Sequence, residues 1–394
     1  MPASSATGAP STLFAMTSIR PYSIQIDDDA LADLAQRLAN TRFPEAEPVD
    51  DWSQGIPLAE VQKLAEYWRD KYDWRARESG INKIPGFVTE IDGLDIHFLH
   101  ARSSNPDALP IVMTHGWPGS VLEFRKIMPL LTEPQEHGGE AADAFHVICP
   151  AMPGYGFSDK PAETGWTVQR IGAAWAELMG RLGYDRYVAQ GGDWGSAVTA
   201  ALGALAPDGL IAVHSNMPIA PPTEESMADL TPAEMAALEA FGYYDEHDSG
   251  YSKQQSTRPQ TLGYALADSP VGQMAWIVEK ISQWTDKTRP VTDFFSYDEI
   301  LDNVMFYWFT NAGTSSGRLY AESFGNFAED PVQVPAGVSA FPNEILKTSK
   351  RWCEAGNYPN IVFWSDHERG GHFPAWEVPE LLAADLRAMF RTYR

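Results

Sequence analysis

The sequence predicts an α/β fold built on a mostly parallel sheet, with a helical lid and an amino-terminal helical extension. Short apolar segments alternate with helical segments over residues 96–217, the alternation stops over residues 218–335, and it resumes after residue 336. This alternation favours parallel strands with helices on both faces of the sheet. We therefore expect a flexible tail (1–18), an amino-terminal helical domain (19–95), a core in two parts (96–217 and 336–394) and a lid (218–335).

The amino-terminal segment predicts two helices and a hairpin. Three aspartates at 27–29 precede an apolar helical pattern, so negative charge meets the positive end of a short helix. A second helix is predicted over residues 58–74, and we expect its aromatic residues to pack on another domain. Residues 87–91 and 94–100 flank Asp92-Gly93, which is typical of a type I′ hairpin turn.

A strand, a glycine-rich turn and the start of a helix follow one another over residues 187–202. Gly191, Gly192 and Gly195 surround Asp193, so the backbone can bend where a Cβ would clash. This pattern is typical of the elbow that raises a nucleophile above an α/β-hydrolase sheet, with aspartate in place of serine. A carboxylate there can attack a carbon and form an ester. The alternative is that Asp193 only caps the following helix.

Two loops at later strand ends supply the other parts of a hydrolase site. Glu344 follows the strand predicted at 338–340, and His372 follows the strand predicted at 361–365. The order nucleophile, acid, histidine is that of α/β-hydrolases. Asp366 lies nearer to His372 in sequence and is the rival acid.

An earlier loop, HGWPGS at 115–120, follows the strand predicted at 111–114. A loop that crosses the top of the sheet can direct a backbone N–H towards an oxyanion, and we assign that N–H to Trp117. For His115 we favour a structural role, because a histidine at a strand end more often holds loop backbone by hydrogen bonds.

Composition excludes several classes of partner. The chain has 394 residues, 29 Lys and Arg against 53 Asp and Glu, and a net charge of −24, so nucleic acid and anionic lipid are unfavourable partners. Apolar runs are too short to span a bilayer, and the two cysteines indicate no disulfide framework, so we expect a cytoplasmic protein. Neither a metal-ligand cluster nor a phosphate-binding loop is evident, and we expect no cofactor.

Five segments resemble the microsomal-type epoxide hydrolases, a group that includes juvenile hormone epoxide hydrolases. They are HGWPGS at 115–120, GGDWGS at 191–196, DSPVGQMAWIVEK at 268–280, SAFPNE at 339–344 and GGHFPAWEVPELLA at 370–383. The resemblance runs from about residue 19 to the C-terminus, and residues 40–44 with Trp52 match the family's amino-terminal helical domain. Membrane-bound members carry an amino-terminal anchor that is not seen here, so we do not expect a microsomal location.

The resemblance implies an epoxide hydrolase of the α/β-hydrolase fold that converts a small apolar epoxide and water into a vicinal diol. It implies an alkyl ester of Asp193, which is hydrolysed by water that His372, oriented by Glu344, activates. Two lid tyrosines of the family bind the epoxide oxygen, and their motifs match Tyr251 and Tyr320 here. The N–H groups of two tryptophans, Trp117 and Trp194, would then hold the oxyanion of the ester-cleaving step. For the neighbouring Tyr243, Tyr244 and Tyr307 we expect structural roles.

Two other functions stay open from the sequence. A haloalkane dehalogenase also uses an Asp-Trp elbow, although its family lacks the amino-terminal helical domain. A non-catalytic protein that binds hydrophobic ligands would also suit an aromatic-rich lid. The sequence specifies neither the epoxide nor its stereochemistry, the resemblance makes a homodimer plausible, and either Met1 or Met16 is the natural start.

Overall fold

The computed structural model describes residues 18–325 and 330–394. Within them, nine strands form one sheet in the order β1-β2-β3-β5-β4-β6-β7-β8-β9. The strands are β1 (Arg20–Tyr22), β2 (Gly86–Ile91), β3 (Leu94–Ala101), β4 (Leu109–Thr114), β5 (Phe145–Pro150), β6 (Tyr187–Gly191), β7 (Leu210–Ser215), β8 (Ala336–Ala340) and β9 (Ile361–Asp366). Residues 1–17 of the expected tail lie outside the described residues.

Helices flank this sheet and cover its top. They are α1 (Asp28–Ala39), α2 (Leu58–Asp70), α3 (Trp74–Ile81), α4 (Ile127–Thr132), α5 (Val168–Arg181), α6 (Trp194–Leu205), α7 (Glu224–Met227), α8 (Pro232–Tyr243), α9 (Gly250–Thr257), α10 (Pro259–Asp268), α11 (Pro270–Trp284), α12 (Tyr297–Trp308), α13 (Gly313–Ser323), α14 (Lys350–Ala355), α15 (Pro374–Glu377) and α16 (Pro379–Phe390). The helices α7 to α13 all lie between β7 and β8, in the segment where the sequence predicts the lid.

The sheet is mostly parallel, as predicted. All pairs from β5 through β4, β6, β7 and β8 to β9 are parallel, whereas β1, β2 and β3 add antiparallel pairs at one edge. The central strands β4, β5 and β6 are buried along their whole length, as is typical of parallel strands covered on both faces. The expected hairpin joins β2 to β3, and its turn residues Asp92 and Gly93 have φ angles of 52° and 83°.

The amino-terminal segment differs from the prediction in two places. The single helix predicted over residues 58–74 is wrong, because α2 ends at Asp70 and a new helix, α3, begins at Trp74. The Asp73 carboxylate caps α3 by accepting a hydrogen bond of 3.2 Å from the Ala76 N–H. The strand β1 was not predicted, since it has three residues and contains Pro21, and it pairs with β2 at the sheet edge.

The amino-terminal helices pack on lid helix α12 through a buried carboxylate. Asp302 of α12 is 1% exposed and accepts hydrogen bonds from the Tyr72 hydroxyl at 2.9 Å and from the guanidinium groups of Arg77 and Arg125 at 2.5 Å and 3.1 Å. The Tyr67 hydroxyl donates to Asp298 of the same helix at 2.9 Å. A buried charge is tolerated only with such partners, so these contacts hold the lid against the amino-terminal segment.

Across the described ranges, every helix is too short or too polar to cross a membrane.

Candidate active site

Asp193 lies at a sharp turn between β6 and α6, with φ 51° and ψ −130°. A positive φ is uncommon outside glycine, and such strained positions cluster at functional sites. The turn needs glycine neighbours: a Cβ on Gly191 would lie 2.0 Å from the Gly195 carbonyl oxygen, and a Cβ on Gly195 would lie 1.9 Å from that of Thr114. The structure therefore contains the elbow expected from the sequence.

The Asp193 carboxylate does not cap α6, although the residue occupies the N-cap position. Its Oδ1 instead accepts a hydrogen bond of 2.8 Å from the backbone N–H of Trp117. A Cβ on Gly116 would lie 2.2 Å from the same oxygen, so glycine lets the HGWPGS loop come this close. The helix-cap interpretation of this side chain is therefore wrong, and the structure brings the Trp117 N–H to the Asp193 carboxylate.

The loop after β9 brings His372 beside Asp193. The imidazole Nε2 lies 3.3 Å from Asp193 Oδ2, and Nδ1 lies 2.6 Å from Glu344 Oε1. A backbone bridge between Asn343 and Gly371 joins the loop after β8 to the loop after β9. This pairing sets Glu344 next to His372, and all three side chains are buried together.

Asp366, the rival acid, lies elsewhere. It ends β9, is exposed, and accepts a hydrogen bond of 3.0 Å from the Trp364 indole N–H. The structure thus brings Glu344, and not Asp366, into contact with His372.

Charge couples the histidine to its two carboxylates. Burial lowers the pKa of His372, but the negative charges of Glu344 and Asp193 and their hydrogen bonds outweigh it and raise that pKa well above its ordinary value. The two carboxylates therefore favour the protonated imidazole. An ester of Asp193 carries no charge, so esterification would lower the pKa of His372 and favour the neutral imidazole, which can act as a base.

Tyr251 of α9 and Tyr320 of α13 meet above the HGWPGS loop. The Tyr251 ring stacks on Trp117 with centroids 4.9 Å apart, the Tyr320 ring meets Trp117 edge-on at 6.1 Å, and the two tyrosine rings lie 5.8 Å apart. Burial raises the pKa of both hydroxyls, and the charge of Asp193 adds to the effect. Both tyrosines therefore stay protonated and can act as hydrogen-bond donors.

The two hydroxyls differ in their present partners. The Tyr251 hydroxyl lies 3.1 Å from that of Tyr244, whereas the Tyr320 hydroxyl, beside Trp194, donates to no acceptor among the described residues. Of the other tyrosines weighed from the sequence, Tyr307 donates to the Gly119 carbonyl oxygen at 2.7 Å, and Tyr243 is exposed. Tyr307 is thus occupied with the backbone, while Tyr244 supports Tyr251.

Two further residues singled out from the sequence are buried at the same place. His115 accepts a hydrogen bond of 3.3 Å from the Met152 N–H through Nε2, and its Nδ1 lies 3.0 Å from the Gly116 carbonyl oxygen. Burial lowers its pKa to about 4, so it is neutral and holds loop backbone, which confirms the structural interpretation. Trp194 is the first residue of α6, and its indole meets the Tyr320 ring edge-on at 4.7 Å.

Comparison with known proteins identifies the family. The family model described as "Epoxide hydrolase N terminus" matches residues 19–124, and the one described as "alpha/beta hydrolase fold" matches residues 110–243. A Stigmatella aurantiaca protein assigned as an epoxide hydrolase is 53% identical over 95% of this chain and 86% of its own length. The chain belongs to the epoxide hydrolase family.

Further comparisons agree. Epoxide hydrolase 1 of Sus scrofa is 38% identical over 94% of this chain and 88% of its own length. The structure of Aspergillus niger epoxide hydrolase matches with a TM-score of 0.85 and 33% identity, and covers 95% of this chain and 96% of that one. The predictions of an α/β-hydrolase fold and of an epoxide hydrolase are thereby confirmed, and the dehalogenase and the non-catalytic binding protein are the weaker alternatives.

Three polar residues at the base of the epoxide hydrolase site were not predicted from the sequence. Glu123, Gln190 and Asn216 line a small cavity together with Asp193 and His372. Glu123 stands in the otherwise apolar stretch 121–124, which was the available signal. No sequence pattern pairs the other two, because they come together only when β6 and β7 lie side by side.

Proposed function

We propose that the enzyme hydrolyses small apolar epoxides to vicinal diols through an ester of Asp193. The observation that carries the proposal is the setting of the Asp193 carboxylate: it accepts from the Trp117 N–H at 2.8 Å, faces His372 at 3.3 Å, and makes no helix cap. A buried carboxylate on a strained backbone, with no hydrogen bond to the helix end, is available to attack carbon.

In the first step, an Asp193 oxygen attacks a ring carbon and the carbon–oxygen bond of the epoxide breaks. The oxygen that leaves carries negative charge, and the hydroxyls of Tyr251 and Tyr320 donate hydrogen bonds to it. Hydrogen bonds that strengthen as charge develops lower the barrier. The alkoxide then takes up a proton, which His372 can release because its pKa falls once Asp193 is esterified.

In the second step, neutral His372 takes a proton from water, and the water oxygen attacks the carbonyl carbon of the ester. Glu344 accepts the hydrogen bond from the opposite imidazole nitrogen at 2.6 Å and stabilises the imidazolium that forms. The N–H groups of Trp117 and Trp194 are the proposed oxyanion donors. Collapse of the intermediate breaks the bond to the diol oxygen, which takes the proton from His372. The second proton of the water passes from the resulting carboxyl group to His372, which restores the Asp193 carboxylate and the imidazolium.

The aromatic walls support an apolar substrate. Trp117 contacts the rings of Tyr251, Trp276, Trp284 and Tyr320. Such walls favour apolar groups and leave the tyrosine hydroxyls as the polar donors that fix the epoxide oxygen. A cytoplasmic location, in keeping with two buried free cysteines, and a homodimer are further proposals.

The test follows the oxygen atom in a single turnover. Enzyme in excess over an aryl epoxide is mixed in heavy-oxygen water. We expect unlabelled diol and label in the peptide that contains Asp193, since the diol oxygen comes from the aspartate and the solvent oxygen replaces it. Labelled diol in the first turnover, with an unlabelled peptide, would mean that water attacks the epoxide directly.

A second measurement traps the ester. His372→Gln removes the base and keeps the nucleophile, so intact-protein mass spectrometry should show the protein mass plus that of one epoxide. Asp193→Asn should show no such adduct. If His372→Gln formed diol and showed no adduct, the ester mechanism would be contradicted.

A further inference from the structure

A cavity of about 20 Å³ lies at the base of the site. Its walls include Asp193, His372, Glu123, Gln190 and Asn216. One water molecule needs roughly 10 to 15 Å³ of such space and two to four polar partners. The cavity therefore has the size of a water site and touches both the carboxylate and the imidazole between which ester-cleaving water must lie.

Two of the wall residues leave hydrogen-bonding atoms unused. Gln190, at the end of β6, donates from Nε2 to Asn216 Oδ1 at 2.9 Å. Among the described residues, Gln190 Oε1 and Asn216 Nδ2 then have no partner, although the two side chains are 1% and 4% exposed. If both amides were flipped, Asn216 would donate to Gln190, and one N–H donor and one carbonyl acceptor would still be unpaired. Buried amides with this pattern need a further polar molecule between them.

The third wall residue, Glu123, adds a carboxyl group. It forms no side-chain hydrogen bond to another described residue, and its Oε2 would lie 2.1 Å from a Cβ on Gly119, so the group packs against the HGWPGS loop. Burial raises the pKa of Glu123 well above its ordinary value, the charge of His372 opposes this, and the charge of Asp193 adds to it. A neutral carboxyl can both donate to and accept from one water molecule.

We propose that this cavity holds the water that cleaves the Asp193 ester, and that Glu123, Gln190 and Asn216 are positioning residues for that water. The inference rests on the proposed function, because it assigns a place to the water of the second step. The epoxide binds on the side of Asp193 that faces the aromatic lid, and the water occupies the cavity on the opposite side. Substrate and water thus occupy separate sites from the start of the cycle.

The step balances without another reactant. The held water gives one proton to His372 Nε2, and its oxygen forms a bond to Asp193 Cγ. The bond from Cγ to the diol oxygen then breaks, and the diol oxygen takes that proton from His372. The new carboxyl group keeps the oxygen of the water and passes its second proton to His372, which restores the carboxylate and the imidazolium. Since attack requires the oxygen to be aligned with Cγ, the three polar residues act on this step and not on ring opening.

Rapid-quench single turnovers with an aryl epoxide separate the two steps. Intact-protein mass spectrometry gives the fraction of ester at each time. Glu123→Leu and Gln190→Leu should each slow ester hydrolysis about tenfold to a hundredfold, as for loss of one strong hydrogen bond, and change ester formation by less than about threefold. Glu123→Gln should recover most of the rate, because a carboxamide donates and accepts in the same place.

The matched control is Gln273→Leu. Gln273 lies in α11, is also a buried glutamine with an unpartnered Oε1 among the described residues, and does not line the cavity. It should leave the ratio of the two rates at the wild-type value even if it lowers the melting temperature. Where a leucine variant does not fold, Asn216→Ser takes its place with the same criterion.

Two outcomes separate this inference from the proposed function. If His372→Gln accumulates ester while the cavity variants hydrolyse it at the wild-type rate, or slow both steps equally, the water site is refuted and the ester mechanism stands. If no protein, including His372→Gln, accumulates ester, the ester mechanism itself fails and the water site fails with it. Slower hydrolysis with rescue by Glu123→Gln supports the site.

Discussion

Glu344→Gln tests which carboxylate orients the histidine. Glu344 Oε1 accepts hydrogen bonds from His372 Nδ1 at 2.6 Å and from the Ile345 N–H at 2.7 Å, in a buried setting. Glutamine keeps the shape and removes the charge. A hydrogen bond to a charged group contributes about 1.5 to 3 kcal/mol, so ester hydrolysis should slow about tenfold to 150-fold. Ester formation should change much less, because Asp193 itself is the attacking group.

The assay compares two variants in rapid-quench single turnovers. Glu344→Gln should accumulate ester that wild-type protein clears. Asp366→Asn is the matched control, because it also neutralises a carboxylate near the end of a late strand. The Asp366 carboxylate accepts a hydrogen bond of 3.0 Å from Trp364 and does not contact the histidine. It should stay within about twofold of wild type, as is usual for an exposed substitution. Slow hydrolysis in Asp366→Asn, with Glu344→Gln near wild type, would refute the assignment.

Three further predictions concern the lid, the elbow and pH. Tyr251→Phe and Tyr320→Phe should each slow ester formation about tenfold to a hundredfold in rapid-quench assays, and a double variant at the wild-type rate would place the donors elsewhere. Gly195→Ala should lower the melting temperature or prevent folding, because its Cβ would lie 1.9 Å from a carbonyl oxygen. Gly180→Ala is the control: nothing lies within 4 Å of its Cβ, and its free energy of unfolding should rise by about 0.5 to 1 kcal/mol. Burial raises the pKa of Glu377 from 4.5 to about 7, so the folded state keeps a proton that the unfolded state releases. As pH rises from 4.5 to above 7, the free energy of unfolding of wild type should therefore fall by up to about 3 kcal/mol relative to that of Glu377→Gln. Melting curves at a series of pH values measure this difference, and a difference that does not change with pH would contradict the prediction.

The parts of the fold that follow from local chemistry could be predicted from the sequence. The glycines around Asp193 indicate a turn that only a few backbone conformations allow, and the structure contains that turn. The Asp92-Gly93 turn follows from the same preference for positive φ. Glu344 and His372 could be placed at strand ends by chain order, and the structure brings them within 2.6 Å. Their roles, and those of Tyr251 and Tyr320, stay predictions.

The parts that depend on contacts between distant segments could not be predicted. The break between α2 and α3 is an exception with a local cause, because the Asp73 carboxylate caps α3 while the apolar spacing continues across the break. The strand β1 depends on its pairing with β2 and on the ion pair between Arg20 and Asp95 of β3. The Gln190–Asn216 pair depends on the register of β6 beside β7, and its unused atoms become visible only in three dimensions.

The contact of the amino-terminal helices with Asp302 limits how this lid can be exchanged between relatives. Three donors, from Tyr72, Arg77 and Arg125, surround a carboxylate that is 1% exposed. A chimera that takes the lid without residues 72–81 would leave this charge buried with the guanidinium of Arg125 alone, and losing a partner of a buried ion costs about 3 to 5 kcal/mol. Engineering of substrate range should therefore transplant the lid and the amino-terminal helices as one module.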